Sequence, residues 1–177
     1  MAGVVESNDV RHIHLISTGG TIEKIYSEST GSVVNLETKI DRYLKQLRLP
    51  DAAIDAISVM NIDSLEMTQE DREKVLEVVR QRLDAPIIIT HGTDTLVETG
   101  LFLKERLPNL SVPIIFTGAM TPLGFERSDG LQNLTESLLA ARLLSPGIWL
   151  VIHNQVFPID RVRKDRETAR FVPLADI

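Results

Sequence analysis

Apolar residues along this 177-residue chain fall into two alternating patterns. Compact runs at 12–17 (HIHLIS), 52–60 (AAIDAISVM), 86–90 (PIIIT), 112–118 (VPIIFTG) and 147–153 (GIWLVIH) read as strands. The unbroken runs PIIIT and VPIIFTG are what a strand covered on both faces requires. Between the runs, apolar side chains recur at helical spacing. Leu36, Ile40, Leu44 and Leu47 predict a helix that Pro50 stops. Thr68 is placed to cap a second helix carrying Val75, Val79 and Leu83 on one face. Thr95 and Glu98 have capping-box spacing ahead of a third, which carries Leu96, Leu103 and Leu107 inward. Ser128 or Asp129 caps a fourth, with Leu131, Leu134, Leu138 and Ala141 on one side. The polar stretch 22–35 reads as an exposed loop. With no internal repeat and no linker, residues 1–177 read as a single domain.

Strands alternating with helices predict an α/β fold, a three-layer open and mostly parallel sheet with helices on both faces. Right-handed crossovers then bring the carboxyl ends of the strands to one edge, where ligands bind in folds of this class. Two strands end in hydroxyl-rich loops, Ser-Thr-Gly-Gly-Thr at 17–21 and Thr-His-Gly-Thr-Asp-Thr at 90–95. Both should therefore open into one crevice.

The net charge of −6 argues against a nucleic-acid binder, which would need a basic stripe. With no cysteine, disulfides and thiolate chemistry are excluded. No basic start followed by an apolar segment marks a secretory signal, and no apolar stretch reaches the ~18 residues of a membrane span. A cytoplasmic location without a membrane partner is the expectation.

Each candidate group has a bland reading. Thr-Gly-Gly-Thr is neither a dinucleotide fingerprint nor a P-loop, and by itself a turn of this kind is structural. Asp94 stands where a helix cap would, although Thr93 and Thr95 beside it raise the case for chemistry, and backbone N–H groups at the helix start can bind an anion. The run 160–170, DRVRKDRETAR, reads mainly as a solvated face from which one lysine could fold back into the crevice. His12, His14, His91 and His153 show no metal spacing, and Met60, Met67 and Met120 read as packing residues.

Five segments taken in order change the picture: STGGTIEK at 17–24, NIDSLEMT at 61–68, ITHGTDTLVETG at 89–100, TGAM at 117–120 and RSDGLQNL at 127–134. In order and spacing they resemble the bacterial-type L-asparaginase family across essentially the whole chain. The resemblance implies the flavodoxin-like N-terminal catalytic domain of that family, in a short single-domain form. It implies hydrolysis of the side-chain amide of L-asparagine to L-aspartate and ammonia, with no cofactor and no metal. It places the nucleophile at Thr21, a second reactive threonine at Thr93, an aspartate that also grips the substrate α-amino group at Asp94, and a lysine at Lys164. Lys104 and the arginines near Lys164 match that lysine poorly. Ser64 fits the serine that binds the α-carboxylate, with Asp63 beside it, and Gly20, Gly92 and Ala119 complete the substrate-binding set.

The chain also departs from the family pattern. Full-length members carry a second domain, and an acidic residue from a neighbouring subunit closes their pocket; that acid is expected to be missing here. Tyr26, matched to the family's loop tyrosine, stands nearer Thr21 than the pattern expects. Leu65 occupies a place where many members have a polar residue. The resemblance further implies a homo-oligomer, dimer or tetramer. Two other functions share the same residues: an amino-acid-binding domain with weak or no turnover, and a glutaminase or amidotransferase subunit working with a partner protein.

Overall fold

The computed structural model describes residues 11–174. In chain order it contains β1 (Arg11–Gly19), a single 3-10 turn (Thr21–Glu23), β2 (Ile25–Ser27), β3 (Ser32–Val34), α1 (Ile40–Leu44), β4 (Ala52–Ile62), α2 (Gln69–Arg80), β5 (Ile87–Thr90) and α3 (Leu96–Arg106). There follow β6 (Pro113–Thr117), α4 (Gly130–Leu143), β7 (Gly147–Ile152), β8 (Gln155–Pro158), a second 3-10 turn (Ile159–Arg161), β9 (Val162–Asp165) and β10 (Arg170–Pro173).

Six strands form the main sheet in the order β4-β1-β5-β6-β7-β8. All neighbours are parallel except β7 and β8. The chain goes from β1 to β4 on one side and then to β5 on the other, so the order reverses beside β1. The crevice between the carboxyl ends of β1 and β5 is the switch point at which open α/β sheets bind ligands.

The two faces of the sheet pack separate cores, as alternate strand residues must. Ile87 and Ile89 meet Val75, Leu76 and Val79 of α2 and Leu96 and Leu103 of α3. Ile88 faces the other way, toward Ile40 of α1 and Leu134, Leu138 and Ala141 of α4. Burial on both sides explains why β5 is an uninterrupted isoleucine run. Each such side chain contributes roughly 1.5–3 kcal/mol on burial. Among the described residues no helix is long and apolar enough to cross a membrane.

The Thr68 cap forms as expected: its side chain accepts from Asp71 N, while Asp71 accepts from Thr68 N, a complete capping box. The helix expected from Leu36 is shorter, covering only Ile40–Leu44. Leu36 lies exposed before it, and beyond it Gln46 N and Leu47 N donate to carbonyls only three residues back, so Leu47 reaches the core from tight turns.

Two other caps differ from their sequence signals. Thr95 precedes α3 but makes no side-chain cap bond; its hydroxyl donates to Ser64 O at 2.9 Å. Glu98 instead pairs with the buried Arg72 at 3.0 Å, tying α3 to α2. A buried guanidinium needs such a charged partner. At α4, Asp129 occupies the cap position, yet its carboxylate turns to the loop after β6, and it is Ser128 Oγ that accepts from Gly130 N, at 3.1 Å.

The segment 22–35 is ordered as a small antiparallel hairpin, with Ile22 and Glu23 buried beneath it. The last strand expected from sequence, β7, is followed by three more. His153 and Asn154 both adopt positive φ, the conformation of a two-residue type I′ hairpin turn, and lead straight into β8. The charged run 160–170 is then built into the β9-β10 hairpin.

Candidate active site

The loop after β1 turns on two glycines at positive φ, Gly19 (94°) and Gly20 (77°). A methyl group on Gly20 would collide with the main-chain N and Cα of Gly92, and one on Gly92 with the Cβ and Oγ of Ser64. The loops after β1 and β5 therefore meet main chain to main chain, and the Ser64 side chain from the loop after β4 packs on Gly92. Gly118, after β6, adds a fourth loop: a methyl there would strike His91 O and come within 3.3 Å of Thr93 Cγ2. Glycines thus line the crevice, and Thr21 and Thr93 stand one position beyond Gly20 and Gly92.

Lys164 is delivered from the far end of the chain. β9 and β10 hold to the core through Val162 and Phe171, 2% and 3% exposed. Side chains two apart on a strand share a face, so Lys164 follows Val162 inward. Its Nζ donates to Thr93 Oγ1 at 2.7 Å and to Asp94 Oδ1 at 3.1 Å. Thr93 is buried, and Asp94 is partly exposed at the crevice mouth. Arg166 Nη2 reaches the same Asp94 oxygen at 3.5 Å.

Thr21 opens the 3-10 turn one residue beyond the Gly20 contact, half-buried. Its hydroxyl makes no hydrogen bond among the described residues, which leaves it open to a ligand. Tyr26 lies on β2, 58% exposed, and its hydroxyl makes no hydrogen bond among the described residues. Ser64 is buried against Gly92, and Ala119 is buried beside Gly118. Asp63 pairs with Lys24 at 2.5 Å and accepts from Leu65 N at 3.0 Å. The Lys24 bond holds its carboxyl below the ordinary range. Among the described residues no cluster of His, Asp or Glu is arranged to hold a metal ion.

Several supporting residues take roles that the sequence did not assign them. Lys24 joins the glycine loop to Asp63, and Asn35 donates to Gly20 O and to Asn61 Oδ1, both at 2.9 Å. Asp129 accepts from Met120 N, Thr121 N, Asn133 Nδ2 and His153 Nε2, fixing the loop that carries Ala119. Burial pushes the Asp129 carboxyl up, but these bonds outweigh it and hold it below its ordinary value. Asn133 also donates to Gly118 O at 2.9 Å. Asp129 and Asn133 of the RSDGLQNL segment therefore shape the crevice by holding its loops. Glu23, fully buried, accepts from Thr38 Oγ1 at 2.6 Å and pins the far end of the hairpin segment to the Thr21 turn.

His91 sits under the loop, fully buried, with Nδ1 2.8 Å from Gly92 O and Nε2 3.2 Å from Met67 Sδ. Burial lowers its pKa from 6.5 to about 4. Between those values the unfolded chain takes up a proton that the folded chain refuses. Stability contributed by neutral His91 is complete above pH 6.5 and is lost as pH falls toward 4, by about 3 kcal/mol in all. Urea denaturation at pH 7 and pH 4.5 should show that loss in the wild type and a smaller one in His91→Asn. An equal loss in both would remove His91 as the cause.

Residues 12–171 match the family model described as the N-terminal domain of asparaginase. The chain is 33% identical over 153 residues to an L-asparaginase of Thermococcus kodakarensis, covering 85% of this chain and 46% of that protein. It is 31% identical over 163 residues to L-asparaginase 1 of Escherichia coli K12, covering 87% and 47%. The chain thus spans about half the length of these relatives. A solved structure of the thermostable L-asparaginase from Thermococcus kodakarensis superposes with a TM-score of 0.80 at 28% identity, covering 94% of this chain and 52% of the other.

Proposed function

Since the chain belongs to the asparaginase family, we propose that it hydrolyses the side-chain amide of L-asparagine to L-aspartate and ammonia, with Thr21 as nucleophile. The observation that carries this reading is Lys164 Nζ set between Thr93 Oγ1 and Asp94 Oδ1, at 2.7 and 3.1 Å, in the crevice that the Thr21 turn borders. A threonine hydroxyl is a weak nucleophile until its proton is taken, and a lysine bonded to a neighbouring hydroxyl forms a path for that proton.

In this reading Asp94 receives the substrate α-ammonium and Ser64 the α-carboxylate, leaving the amide carbon toward Thr21. Attack by Thr21 Oγ1 forms a C–O bond and pushes the carbonyl electrons onto oxygen. Backbone N–H groups of the loop after β5 are donors of the kind that stabilise this oxyanion. Collapse breaks the C–N bond, ammonia leaves with the transferred proton, and an aspartyl ester remains on Thr21. Water, activated through Thr93 and Lys164, attacks the ester and releases aspartate. Tyr26 would join only if the hairpin carrying it closed over the substrate. No step calls for a metal or organic cofactor. The reading carries with it a cytoplasmic homo-oligomer, which a native mass would check.

The direct test is to incubate the protein with L-asparagine and measure ammonia and aspartate together. Equal amounts of the two products are expected. Calorimetric binding of aspartate with no ammonia released from asparagine would leave a binding domain in place of the enzyme.

A further inference from the structure

Asp94 is approached by two cations on one oxygen. Lys164 Nζ lies 3.1 Å from Oδ1 and Arg166 Nη2 lies 3.5 Å from the same atom. Lys164 is mostly enclosed, whereas the Arg166 side chain is 67% exposed. The backbone around Arg166 is held by a tight turn: Glu167 N donates to Asp165 Oδ1, Thr168 Oγ1 donates to Asp165 Oδ2, and Ala169 closes the turn at φ 51°. The guanidinium thus hangs over the crevice mouth from a fixed base and can swing away from Asp94 while the main chain stays in place. The other carboxylate of the candidate site, Asp63, is engaged by Lys24. Three cations therefore face two carboxylates, and neither carboxylate is unpaired.

We propose that Arg166 is a specificity-determining residue that competes with the α-ammonium of the substrate for Asp94. The inference rests on the reading of Asp94 as the α-ammonium acceptor. To reach Asp94, an ammonium must displace the guanidinium. A ligand with the same amide and carboxylate but no ammonium loses nothing to Arg166. Arg166 thereby sets the crevice against amino acids and toward the monoamides of plain dicarboxylic acids. An exposed ion pair is worth up to about 1 kcal/mol, so the competition amounts to roughly a fivefold effect.

The test compares ammonia release from L-asparagine and from succinamate, which is asparagine without its α-amino group, in the wild type, Arg166→Ala and Arg166→Lys. In Arg166→Ala, KM for asparagine should fall about fivefold, and the kcat/KM ratio of asparagine to succinamate should rise by the same factor. Arg166→Lys should keep the wild-type ratio. Rising salt should narrow the gap between the wild-type ratio and the Arg166→Ala ratio. An unchanged ratio in Arg166→Ala, or one moved toward succinamate, overturns the proposal while asparagine hydrolysis stands. If neither amide yields ammonia, the hydrolytic reading fails separately. Calorimetry with aspartate and succinate then decides: a gain of about fivefold for aspartate over succinate in Arg166→Ala supports the competition, and equal change or no binding rejects it.

Discussion

Replacing Lys164 with methionine is expected to lower kcat/KM for asparagine by about 10³-fold while aspartate still binds. Methionine keeps much of the apolar stem and removes the ammonium, so it deletes the bonds to Thr93 and Asp94 without emptying the site. The anchors of β9, Val162 and Phe171, are untouched, and the fold should survive. The melting temperature separates chemistry from damage. Thr93 loses one hydrogen bond, worth ~1 kcal/mol, which lowers Tm by only a few degrees. Full activity in a folded Lys164→Met protein would falsify the proton path.

Thr21→Ala should abolish turnover to at least the same degree, because no attacking oxygen would remain on the loop after β1. The double variant Thr21→Ala with Lys164→Met should lose little more than either single change, since groups acting in one step do not add. Mass spectrometry of acid-quenched wild type during turnover should find the aspartyl ester on the peptide containing Thr21. The ester on the peptide containing Thr93, with Thr21→Ala still active, would transfer the nucleophile's role to Thr93. That outcome has a specific physical basis, because Thr93 is the hydroxyl bonded to Lys164.

How much of this was legible in the chain depended on how local each signal was. The central strands could be read because burial on both faces demands apolar residues at successive positions, as at Ile87, Ile88 and Ile89. Thr68 could be read because its capping partner lies three residues away. β8 could not, because its turn is His-Asn and lacks the glycine that usually marks such hairpins. β9 and β10 were hidden by charge: only Val162 and Phe171 betray that the run folds back on the core.

The candidate site divides in the same way. Thr93, Asp94 and Lys164, named from the family resemblance, are joined by hydrogen bonds, whereas the Tyr26 side chain is largely exposed and makes no bond to them. The network of Asp129, Asn133 and His153 was invisible, since each partner is also an ordinary cap, helix or turn residue and His153 is 24 positions from Asp129. Arg166 looked like one more charge in a solvated run, and only the turn around Asp165 aims it at Asp94.

The contact of Gly20 with Gly92 in the crevice involves no side chain at all. The gap between the two threonine-bearing loops is therefore gauged by peptide planes, the least adjustable parts of a protein. Residues lining the crevice can be exchanged to suit a longer or shorter amide without the two loops drifting apart. The same arrangement leaves almost no tolerance at the gauge itself: a single added methyl would wedge the loops open, and repacking elsewhere could not draw them back.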